Sequence, residues 1–104
     1  EGVVAGHGVI LHGSRVGAGT LVGIGARLLG RSEIGAESII AAGSIVTERT
    51  VIPPRSLVMG IPGKVVRQVT DQEVARTREI NERYRRLAKL YLEGRYPLRP
   101  TATG

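Results

Sequence analysis

Two histidines, His7 and His12, stand five positions apart in VAGHGVILHGSRVG, and the chain has no others and no cysteine. Imidazole is the commonest protein ligand for a transition metal. Catalytic zinc takes about three protein ligands and keeps one position open for water. With thiolates absent, the donors left for such a site are imidazole and carboxylate. Five residues of extended chain span roughly 16 Å, less with a corner between them, so the two imidazoles are not expected to meet on one ion within one coil. A shared ion needs a second chain, with His7 of one copy meeting His12 of the next. The competing reading is that both are polar residues at outward positions of a repetitive surface.

The elements that must position these side chains repeat every six residues. Stepping from Val4 gives Val4, Ile10, Val16, Val22, Leu28, Ile34, Ile40, Val46, Ile52 and Val58, all branched aliphatics. Four places after each of the first nine lie Gly8, Ser14, Thr20, Ala26, Ser32, Ser38, Ser44, Thr50 and Ser56, all small. Neither a 3.6-residue helical period nor simple strand alternation gives this pattern. A chain that turns at fixed intervals does, with one aliphatic per face pointing inward and a small residue where the backbone crowds a corner. Three short strands per coil then make a triangular prism whose coils stack by parallel pairing, a recognised β-helix signature. Glycine after the aliphatic, as in Val16-Gly17, Val22-Gly23 and Ile34-Gly35, is expected to serve the tight turns.

The coils are assigned to residues 1–66, ending in VIPPRSLVMGIPGKVVR, whose prolines suit a place where pairing stops. Thr70-Asp71-Gln72-Glu73 is a capping-box pattern that opens a helix over 70–93. Ile80, Tyr84, Leu87, Ala88 and Tyr91 fall on one side of it and are expected to lie against the prism. Glu79 with Arg83 and Glu82 with Arg86 are expected to pair on the opposite face. Gly94 ends the helix, and 94–104 is assigned as a flexible tail.

Composition narrows the function classes. The 104 residues form at most one domain, and a core of this size buries only about 60–65% of the unfolded surface. With no disulfides available, oligomerisation is the remaining aid to stability. Of the net charge of +6, residues 1–64 carry six basic and four acidic side chains, and 65–104 carry nine and five. The helical arginines alternate with glutamates and no aromatic residues interleave, which argues against nucleic-acid binding. No run approaches the roughly 20 apolar residues of a membrane span, and a soluble, cytoplasmic protein is expected. The first coil begins almost inside the first hexad and would leave unpaired strand edges. Solenoids cap such ends, so the chain is expected to be part of a longer protein.

GHGVILHG followed by VGAGTLVGIGA, then GSIVTERTVIPPRSLVMGIPGKVVR and a helix ending RLAKLYL, resembles the γ-class carbonic anhydrase family over nearly all of residues 3–93. The resemblance implies a mainly β fold, a left-handed parallel β-helix of hexapeptide repeats followed by a C-terminal α-helix. It further implies a homotrimer with metal sites at the subunit interfaces, His7 and His12 as ligands contributed by neighbouring subunits, and Zn2+ or another divalent ion such as Fe2+ or Co2+. The reaction implied is the reversible hydration of carbon dioxide to bicarbonate. The family's third histidine, the Arg and Asp of its Arg-Gly-Asp segment and its acidic proton-transfer residues lie upstream of this pair and are not in this chain. The chain alone is therefore expected to be incomplete or inactive. Tyr84 is a further candidate, through a hydroxyl near the interface, against a plain packing role. Two other functions compete. One is a hexapeptide acyltransferase, which shares the proline-rich exit and uses one histidine as general base. The other is a non-catalytic trimeric scaffold.

Overall fold

Val22, Leu28, Ile34, Ile40, Val46, Ile52 and Val58 are all at most 4% exposed, and the backbone turns after each. The structure, a computed structural model, describes residues 2–6 and 8–93. It is mainly β, a parallel β-helix of about three coils with one C-terminal helix, the fold class expected from the repeat. The first face stacks β1 (Val4–Ala5), β4 (Leu21–Val22), β7 (Ile39–Ile40) and β10 (Ser56–Met59). The second stacks β2 (Ile10–Leu11), β5 (Arg27–Leu28) and β8 (Ile45–Val46). The third stacks β3 (Arg15–Val16), β6 (Glu33–Ile34) and β9 (Val51–Ile52). Past β10 the chain reverses, and β11 (Lys64–Gln68) pairs with it antiparallel, which ends the coiling.

The small column does more than leave room. The Ser38 N–H donates to Thr20 Oγ1 at 3.3 Å, and the Ser56 N–H donates to Ser38 Oγ at 3.2 Å. The hydroxyls of Thr20 and Ser38 donate in turn to the carbonyls of Gly35 and Pro53. Hydroxyls thus link successive coils through polar groups that burial would otherwise leave costly.

The first coil departs from the expected frame. Leu21 pairs with Ile39 and Arg27 with Ile45, eighteen positions on, but Val4 pairs with Leu21 and Ile10 with Arg27, seventeen positions on. The turn from Leu11 to Arg15 is one residue shorter than the matching turn from Leu28 to Glu33. Val4 and Ile10 are therefore outward residues, while Val3 and Val9 pack against the core. Val3-Val4 and Val9-Ile10-Leu11 are aliphatic at consecutive positions, so the sequence supports either frame, and the short turn decides between them.

The glycines after the aliphatics also serve a different purpose from the one expected. A Cβ at Gly35 would lie 2.3 Å from the Pro54 nitrogen in the coil above, so glycine is required there by close approach of two backbones. The turn itself is made two residues later, by a column with positive φ: Gly13, Gly19, Gly25, Arg31, Glu37, Gly43, Arg49 and Arg55. Four of these eight carry side chains in a conformation that costs a non-glycine residue roughly 1 kcal/mol.

The helix α1 (Asp71–Leu92) starts with the full capping box: Thr70 Oγ1 accepts from the Glu73 N–H, and the Glu73 carboxylate accepts from the Thr70 N–H. Arg67 clamps the same carboxylate at 2.7 and 2.8 Å, which together with the Thr70 bond holds the Glu73 pKa down at about 2. The helix then descends along the edge between the third and first faces. Arg55 meets Asp71 at 2.8 Å near the top, and Glu37 meets Arg78 at 3.1 Å one coil lower. Asn81 comes against Gly2 at the first coil. Val74 and Thr77 are buried on this path, and so is the outward Val4. Eleven residues remain after Asn81, about 16 Å of helix at 1.5 Å per residue, and they run past the first coil. The apolar stripe therefore lies on the prism only in its first half; Tyr84 and Tyr91 are 57% and 54% exposed. The expected Glu79–Arg83 and Glu82–Arg86 pairs are not closed among the described residues, where the ion pairs of α1 join it to the prism or to β11. The segment 94–104, expected as a tail, lies outside the described residues. No described helix is long and apolar enough to cross a membrane.

Candidate metal centre

His12 follows β2 directly, at the corner between the second and third faces. Its N–H donates to the Leu28 carbonyl at 2.9 Å, which fixes the backbone, and the residue itself is exposed. The short turn of the first coil delivers it: Leu11 occupies the register of Leu28, and Gly13, with φ of 67°, turns the chain immediately afterwards. His7 lies outside the described residues.

Above His12 the same corner carries Leu29 and Gly30, then Glu48. With Arg31 and Arg49 these residues line an open groove of about 350 Å³. Arg31 and Arg49 are the positive-φ residues of this corner that carry side chains, at 60° and 61°, and the corner is stacked through the Arg31 N–H to Gly13 O and the Arg49 N–H to Gly30 O. Arg31 also lines the adjoining groove with Gly13, Arg15, Ser32 and Glu33. Among the described residues neither guanidinium has a hydrogen-bond or ion-pair partner. Neither arginine stands out by residue type alone. Their signal was available as a step of six from Gly13 through Gly19 and Gly25, in which arginine replaces glycine at 31 and 49.

An exposed imidazole on a fixed turn is a sound metal donor, and His12 fits that part. Among the described residues the set is not completed: no group of three His, Cys, Asp or Glu side chains that could hold a metal occurs there. Zinc held with about three protein ligands would have to draw the others from beyond His12's own surroundings. Tyr84, the further candidate, stands exposed on the half of α1 that has run past the first coil.

No family model matches the chain. Individual proteins do. A probable carbonic anhydrase from Methanocaldococcus jannaschii is 42% identical over 87 residues, covering 84% of this chain and 55% of that protein. A carbonic anhydrase from Geobacillus kaustophilus is 42% identical over 84 residues, covering 81% of this chain and 46% of that protein. Among solved structures, a Bacillus cereus protein provisionally described as an acetyltransferase superposes with a TM-score of 0.85 at 35% identity, over 88% of this chain and 53% of its own. The chain spans about half the length of the curated relatives it matches.

Proposed function

The chain belongs to the γ-class carbonic anhydrase-like family of hexapeptide-repeat β-helix proteins, and from that membership we propose that it forms part of a metal-dependent catalyst for the reversible hydration of carbon dioxide. The observation that carries the reading is His12 itself: an exposed imidazole on a backbone-fixed turn, in a chain 42% identical to proteins named carbonic anhydrase. In this reading His7 and His12 of neighbouring copies in a homotrimer hold the ion, zinc or another divalent metal, and the remaining ligand comes from outside these 104 residues. The metal, when bound, would acidify water to a pKa of about 7, so that a nucleophile for carbon dioxide exists at neutral pH. The chain's own contribution is placement. The short turn after Leu11 projects one imidazole at the prism edge, beside a groove in which Leu29 is the one apolar side chain. The reading includes a cytoplasmic location.

Metal analysis with paired variants tests it. Protein purified together with the segment that supplies the remaining ligand is expected to retain divalent metal through dialysis and to lose it in both His7→Ala and His12→Ala, with any carbon dioxide hydration lost in parallel. Retention of metal in both variants would sink the reading. The acetyltransferase description of the Bacillus cereus neighbour supports the second reading, an acyltransferase. Coenzyme A binding by metal-free protein, abolished in His12→Ala, would favour it.

A further inference from the structure

Four of the eight corner residues in the positive-φ column carry side chains where the others are glycine. At one corner the reason is on display. Glu37 and Arg55 contact each other at 3.5 Å, and they reach Arg78 and Asp71 of α1, which docks the helix. A charged side chain is held at a strained corner there because it has a partner of opposite charge. The next corner repeats the device without the partner. Arg31 and Arg49 sit one coil apart, roughly 4.8 Å for stacked strands, and both face the groove that His12 borders. Two like charges lining one groove repel each other, and each guanidinium offers a planar fork suited to two oxygens of one anion. The corner between the first and second faces, by contrast, uses glycine throughout, at Gly8, Gly25 and Gly43. The turn itself therefore does not ask for arginine.

We propose that Arg31 and Arg49 form a binding site for a small planar oxyanion, of the carboxylate or bicarbonate class, in the groove beside His12. The choice of bicarbonate as the natural ligand rests on the proposed reaction, which makes or consumes that anion; the binding itself requires no metal. Glu48 lines the same groove and opposes an anion with its own charge, so the site is weak by construction and releases what it binds. That suits a groove through which a product leaves.

The test uses metal-free protein, so that failure of the metal reading does not obscure it. Carbon-13 bicarbonate at mildly alkaline pH is titrated against the wild type and followed by line broadening, with acetate as competitor and inorganic phosphate as the tetrahedral comparison. Saturable bicarbonate binding displaced by acetate is expected. It should weaken at least tenfold in the Arg31→Gly/Arg49→Gly double variant and tighten several-fold in Glu48→Gln, while Arg27→Ala, on the second face outside the groove, stays unchanged. Glycine suits both backbone positions, so the double variant is expected to melt no lower than the wild type, which separates a binding role from a structural one. The proposal is overturned if wild type shows no saturable binding or if the double variant binds equally well. Preference for phosphate over bicarbonate would also overturn it, as would failure of the double variant to assemble while wild type binds no anion. That last result would make the arginines partners of a neighbouring copy's carboxylates.

Discussion

Glycine occupies two chemically different places in each turn, and single substitutions separate them. At Gly35 the backbone of the coil above leaves no room: an added Cβ would sit 2.3 Å from the Pro54 nitrogen. Gly35→Ala is expected to cost about 2–3 kcal/mol, the upper range for forcing a methyl into a filled space. At Gly25 nothing lies within 4 Å of the added Cβ, and only the φ of 72° resists it, so Gly25→Ala should cost about 1 kcal/mol. Urea melts of the two variants beside the wild type measure both, and equal costs would show that coil spacing is not what fixes Gly35. Glu73 gives a second residue-scale test, through pH. Its carboxylate is held at about 2, against an ordinary value of 4.5, first by the bond from Arg67 and then by the Thr70 N–H. A depressed carboxylate contributes stability that is fully present above its unfolded pKa and is lost as pH falls through the folded one. Helicity followed from pH 5 to pH 2 is therefore expected to decline in the wild type below about 4.5. Glu73→Gln should lack that component, and superimposable acid profiles would count against the clamp.

The helix shows which features of an element a sequence can carry. Thr70 and Glu73 are local, so the capping box was legible and the structure closes it. The stripe of Ile80, Tyr84, Leu87, Ala88 and Tyr91 was equally legible, but whether each residue is covered depends on the height of the neighbouring prism, and the residues the prism buries are Val74 and Thr77, ahead of that stripe. Three coil spacings at about 4.8 Å match only the first half of a helix about 33 Å long. The same limit applies to ion pairing: Glu37 to Arg78 and Arg55 to Asp71 join residues far apart in sequence, whereas the local pairs read from spacing did not close. The repeat was legible from Val16 onward because the inward aliphatic and the small residue keep an unbroken step of six there. It failed at Val4 and Ile10, where neighbouring aliphatics hide a one-residue shift. His12 could be singled out from its type alone, while Arg31 and Arg49 became visible once the corner column was known to need positive φ. Uneven coverage of the helix predicts uneven protection. Hydrogen exchange should find amides of 74–81 protected beyond those of 84–92 by at least tenfold, since buried packing holds only the former; uniform protection would mean that the second half is also covered in solution.

For the whole molecule the question is what a thin prism leaves uncovered. Ile24, Val51 and Ile61 are 63%, 68% and 72% exposed, and the buried core is a single narrow column of aliphatics. A chain of this size buries little of its surface alone, and the proposed trimer with shared metal would offset that deficit from two sources. Association makes stability depend on protein concentration, and a ligand that binds only the folded assembly adds about 2.7 kcal/mol when present at a hundred times its dissociation constant. The melting temperature is accordingly expected to rise with protein concentration, and to fall on chelation in the wild type. In His12→Ala the concentration dependence should persist while the chelator loses its effect, because that variant keeps the apolar surface and lacks the shared ligand. Sedimentation velocity on the same samples should give three times the chain mass for both proteins. A wild type that sediments as one chain at every concentration, with a melting point indifferent to dilution and to chelator, would remove the trimer. It would also remove the only route by which His7 and His12 of different copies could reach one ion.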